Sequence, residues 1–106
     1  MNENSKQRQT FSLRLKEARI AQGLSQKGLG IAIGIDSSVA STRINRYEKG
    51  VHEADMETVQ RMAEVLCVPS AYFYAADDDL AELILHYSKL PSAERKHILS
   101  LLKDRQ

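Results

Sequence analysis

The chain has 106 residues, 42% hydrophobic and 27% charged, an ordinary globular mix that suits one compact domain with at most a short appendage. No apolar run approaches the roughly 18–20 residues of a membrane span, Met1 to Thr10 lacks the apolar segment of a secretory signal, and the single Cys67 excludes an internal disulfide, so the expected compartment is the cytoplasm. The net charge of +1 hides an asymmetry, since nine basic residues face four acidic ones through Gly50 and six face ten from Val51 onward, so the first half suits a polyanion.

Residues 1–10 read as a flexible, mildly basic arm. Thr10 or Ser12 can cap a first helix running to about Gln22, with Phe11, Leu15, Ala18 and Ile20 with Ala21 as its apolar stripe. Gly23 ends it in the left-handed position. Ser25 caps a second helix over about 26–33, closed by Gly34. Gly28 and Gly30 lie inside that helix, each costing about 1 kcal/mol against alanine. Two such residues in one short helix predict the close approach of a neighbouring backbone.

Ile35 and Asp36 form a turn, and Asp36, Ser37 or Ser38 can cap a third helix ending near Lys49. A fourth helix follows from about Asp55 to Leu66, with Met56, Val59, Met62, Ala63 and Leu66 as its buried stripe. Pro69 starts a short turn that carries Tyr72 and Phe73 into the core. Asp77, Asp78 and Asp79 complement the start of a fifth full helix to about Leu90. Pro91 interrupts, Ser92 recaps, and a last helix runs to about Lys103. The fold class is all-α: a five-helix domain with a helix-turn-helix over 11–76, followed by a two-helix extension over 77–106.

On a wheel of about 100° per residue, Ala40, Ile44 and Tyr47 share the buried face of the third helix. The opposite face collects Ser38, Thr42, Asn45, Arg46 and Lys49, flanked by Ser41 and Arg43. Arginine pairs with guanine, asparagine with adenine, and hydroxyls with several base-edge acceptors. No acid stands on this face between Ser37 and Tyr47.

The stretch from Leu15 to Phe73 resembles the phage lambda/434 repressor and Cro family of helix-turn-helix proteins, also called the xenobiotic response element family. The likeness rests on Arg14–Arg19, on Gly23–Leu24–Ser25–Gln26, on Leu29, Gly34 and Ile44, and on Tyr47–Glu48–Lys49–Gly50. The run Thr58 to Pro69 extends it. The resemblance implies a transcription regulator, more often a repressor, that binds double-stranded DNA as a homodimer. It implies that Gln26 and Lys27 touch phosphate, that Ser41, Thr42, Arg43, Asn45 and Arg46 face the groove, and that Arg19 and Glu48 form a structural ion pair. An antitoxin-like module that binds a partner protein is the alternative, favoured if Ile31 is exposed.

Two departures stand out. Gly34 and Glu48 are fourteen positions apart, about one helical turn (about 6 Å) more than the family spacing. Either the turn is enlarged or the third helix starts earlier, which leaves Val39 open between a thymine contact and packing under the loop. Cys67 stands where the family has glycine, in a left-handed position that cysteine tolerates poorly; a partly buried structural thiol is expected there. Leu80, Leu83, Ile84, Tyr87 and Leu90 share one face, and Ile98, Leu101 and Leu102 another. This pair of helices is expected to form the dimer interface, with completion of the monomer core as the competing reading.

His52, His86 and His97 lack metal-ligand spacing, and the Asp77–Asp79 triplet lacks the glycine and distal glutamate of a calcium loop. No nucleophile–base pair or phosphate loop is present. The expected protein is not an enzyme and has no metal, cofactor or small-molecule ligand.

Overall fold

The computed structural model describes residues 3–105. The elements are α1 (Glu3–Ala21), α2 (Gln26–Ala32), α3 (Ala40–Glu48), α4 (Met56–Leu66), a 3₁₀ turn (Ser70–Tyr74), α5 (Asp78–Ser88) and α6 (Ser92–Lys103). The described residues are all-helical apart from turns and loops, and none of the helices is long and apolar enough to cross a membrane.

Helix α1 corrects the reading of an arm. It begins at Glu3, so residues 3–10 are its first turns; residues 1 and 2 lie outside the described residues. Neither proposed cap acts as one. Thr10 Oγ1 donates to Lys6 O at 3.1 Å, and Ser12 Oγ donates to Tyr47 O at 2.7 Å. Phe11, Leu15 and Ala18 are buried, whereas Ile20 is 59% exposed. The fourth member of the buried stripe is instead Arg14, completing the i, i+3, i+4, i+7 spacing of 11, 14, 15 and 18.

The core gathers Phe11 and Leu15 of α1, Leu29 and Ile33 at α2, Ile44 and Tyr47 of α3, Met62 and Leu66 of α4, and Phe73 of the 3₁₀ turn. The rings of Phe11 and Phe73 pack with centroids 5.2 Å apart and planes tilted by 50°. In α4, Val59, Met62, Ala63 and Leu66 are buried, but Met56 is 89% exposed. Asp55 caps that helix by accepting from Thr58 N at 2.8 Å, which turns Met56 outward at the first helical position. Cys67 takes φ 58° and ψ 42°, the left-handed conformation; its side chain is exposed, so the expectation of a partly buried thiol does not hold.

The buried Arg14 holds the C-terminal part to α1. Its Nε donates to Ala75 O at 2.9 Å, and its Nη2 donates to Ala76 O at 3.1 Å and to Asp78 Oδ1 at 2.9 Å. Its guanidinium also lies 5.9 Å from the Tyr72 ring. Ala81 is the one buried residue of α5, and none of α6 is buried. Pro91, rather than Ser92, occupies the cap position of α6, and no side chain caps that end.

Candidate nucleic-acid interface

Helix α3 is placed by its contact with α2. A β-carbon on Gly30 would lie 2.7 Å from Ala40 Cβ and 2.9 Å from Ala40 O. Only glycine lets the two backbones approach this closely. Gly28 has a different surrounding: its amide donates to Ser25 Oγ at 2.8 Å, and a β-carbon there would meet side-chain atoms alone. Close backbone approach therefore accounts for Gly30 and not for Gly28.

The added residues after Gly34 enlarge the turn. Helix α3 starts at Ala40, after Val39, which supplies no side-chain cap. Asp36 Oδ2 accepts from Ser38 N at 3.0 Å and from Ser38 Oγ, so Asp36 and Ser38 close the turn on each other. Those hydrogen bonds, the hydroxyl first and then the backbone amide, hold the Asp36 carboxyl below its usual pKa. Ser38 thus stands outside the helix with its hydroxyl engaged. Val39 and Ile31 are both largely exposed, 43% and 48%.

Within α3, Ala40, Ile44 and Tyr47 are buried. Ser41, Thr42, Arg43 and Arg46 are exposed, Asn45 is half-buried, and Lys49 is exposed just past the last turn. No ion pair or hydrogen bond restrains the side chains of Lys27, Arg43, Arg46 or Lys49 among the described residues. Arg14, Arg19, Arg61 and Arg95, by contrast, each hold a carboxylate or carbonyl. Arg43 and Arg46, both on α3, thus keep their guanidinium donors free. A free guanidinium beside hydroxyls, with no neighbouring acid on that face, suits phosphate and base-edge acceptors.

Behind the exposed face lies an inward network. Arg19 Nε donates to Glu48 Oε2 at 2.6 Å and a terminal nitrogen donates to Oε1 at 3.0 Å. The hydrogen bond to Glu48 raises the Arg19 pKa despite partial desolvation. Arg19 also donates to Leu24 O at 2.9 Å, which ties α1 to the loop before α2. Gln26, the first residue of α2, sends its amide nitrogen to Glu48 Oε1 at 3.1 Å and to Asn45 Oδ1 at 3.2 Å. Lys27 beside it is exposed.

Two structural residues escape a reading by residue class. Ser12, an expected cap, instead joins α1 to the end of α3 through Tyr47 O. Arg14 looks like one of many surface cations. Its place in the apolar stripe of α1 was the available signal.

A helix-turn-helix family model of the Cro/C1 type matches residues 15–73. A crystal structure of the transcriptional regulator BswR is similar over nearly the whole chain. It is 44% identical, with a TM-score of 0.84, and the match covers 88% of this chain and 92% of that one. No curated protein sequence matches.

Proposed function

Because the chain belongs to the Cro/C1-type helix-turn-helix family of DNA-binding regulators, we propose that it is a sequence-specific repressor that reads the major groove with α3. One observation carries this reading: the exposed face of α3 presents Ser41, Thr42, Arg43 and Arg46 with both guanidinium groups unpaired. Arg46 and Arg43 reach base edges or phosphate, and Thr42 and Ser41 supply hydroxyls near the start of the helix. Lys27 and the main-chain amide of Gln26, at the start of α2, and Lys49, past the end of α3, lie along the sugar–phosphate backbone, while the Gln26 side chain is turned inward to Glu48 and Asn45. Arg19 and Glu48 act as scaffold. Ser38 contributes to the shape of the turn rather than to a base contact. Such a protein acts where bacterial or phage DNA lies, in the cytoplasm.

The protein works as a homodimer. The leucines of α5 and α6, with Leu80, Leu83, Leu99, Leu101 and Leu102 all about half exposed, support this. Helix α6 buries no residue against its own chain, and so much clustered apolar surface is costly for a monomer. A second copy, related by a two-fold axis, would cover it and set two α3 helices about 34 Å apart, one turn of DNA.

Binding to duplexes from the gene's own upstream region, measured across a salt series, tests the DNA reading. Saturable binding to one duplex, far above that to random DNA and with log affinity falling steeply against log salt, is the expected result. Equal, salt-driven affinity for every duplex would reduce the protein to a non-specific binder. The exposed Ile31 favours one second reading, a partner-binding module in which DNA contact is secondary; that reading predicts no specific duplex at all.

A further inference from the structure

The polarity of the inward network reaches the reading face. Arg19 can only donate, and the nearly buried carboxylate of Glu48, 4% exposed, can only accept. The group of Gln26 that faces Glu48 Oε1 is therefore its NH₂, at 3.1 Å. The same nitrogen lies 3.2 Å from the Asn45 amide, so Asn45 must turn its carbonyl oxygen inward to accept. Turning that amide over would set two NH₂ groups against each other. The group of Asn45 left for a ligand is then Nδ2, which carries two hydrogens, accepts nothing and is held by no partner among the described residues.

We infer that Asn45 is a donor-only reader that selects guanine against adenine at one base pair of the site. This rests on the proposed DNA-binding function of α3. An asparagine recognises adenine by donating to N7 while its oxygen accepts from the N6 amino group. In this chain that oxygen is committed to Gln26. Guanine presents N7 and O6, two adjacent acceptors, which match an amide that can only donate. Gln26 is the positioning residue, and the ion pair between Arg19 and Glu48 sets the direction.

Selection of full-length protein on a duplex library with every site position randomised provides the test. For the wild type, one position should prefer guanine over adenine by about tenfold or more. Asn45→Ala should bring that position near parity. Asn45→Asp keeps an acceptor for Gln26 but has no donor, and it should lose the same preference while circular dichroism shows the wild-type helix content. Gln26→Met frees the Asn45 oxygen and should move that position, and no other, toward adenine. The inference is overturned if the position governed by residue 45 is adenine in the wild type, or if Asn45→Ala leaves all base preferences unchanged. Absence of any sequence preference in the wild type would overturn the DNA reading itself, and this inference with it.

Discussion

Gly30 and Ala40 meet where α2 passes α3, with 2.7 Å between Ala40 Cβ and the place a β-carbon on Gly30 would occupy. The contact sets how far α3 stands from the domain body, and Ala40 itself is fully buried. Gly30→Ala would gain about 1 kcal/mol of helix propensity but force backbone atoms apart. Overpacking of this kind costs about 1–3 kcal/mol, and here backbone atoms must move, so a net loss of stability is expected. Urea denaturation reads it as a lower midpoint. Gly28→Ala, whose new carbon meets only flexible side-chain atoms, should lose clearly less.

Arg14 is expected to matter more than its charge suggests. Its side chain is 3% exposed, while its partners Glu17 and Asp78 are 44% and 89% exposed. Those two ion pairs are solvent-screened and contribute little. The carbonyls of Ala75 and Ala76 are the larger matter, since Arg14→Met leaves them without their donor, at about 1–3 kcal/mol for each acceptor that water cannot reach. Arg14→Lys cannot reproduce the planar fork and should recover only part of the loss. Asp78→Asn should be near neutral in the same denaturation series.

Cys67 occupies a conformation that costs a residue with a β-carbon about 1–2 kcal/mol. Glycine removes that strain and loses some stability to its freer unfolded chain. Cys67→Gly should therefore raise the thermal midpoint slightly, by no more than about 1 kcal/mol in stability. A lower midpoint would mean that the thiol makes a contact worth more than the strain.

The leucine faces of α5 and α6 lead to a test of assembly. Leu83→Glu together with Leu102→Glu places charge on side chains about half exposed in the single chain, so the fold of each copy should survive. Light scattering on the full-length protein should show a dimer for the wild type and a monomer for the double variant. An unchanged dimer would place the interface elsewhere, and a monomeric wild type would leave the leucines without the role proposed.

Much of the fold is legible from local chemistry. The stripe of α3, most of that of α4, the turn at Gly23, the cap Ser25, and the descent of Tyr72 and Phe73 after Pro69 follow from spacing and cap residues. Residues 3–10 do not read as helix because they are polar. They extend a helix that is anchored further on, where Ser12 and Arg14 bond to distant carbonyls. The start of α3 is illegible for another reason. Asp36, Ser37 and Ser38 all have cap chemistry, and Asp36 spends its oxygen on Ser38 instead of the helix. The side chains of the reading face are identifiable on a wheel, but the orientation of the Asn45 amide depends on Gln26, nineteen residues away.

If α3 reads bases, Arg46 is the side chain whose loss shows it most plainly. Its side chain is exposed and unpaired, so Arg46→Ala should leave the fold and its stability unchanged. Affinity of the full-length variant is to be measured on the preferred duplex and on a random duplex at the same salt. A loss of about 1–3 kcal/mol is expected on the preferred duplex, with a much smaller loss on the random one. An equal loss on both would make Arg46 a phosphate contact, and no loss on either would contradict a reading role for this face of α3.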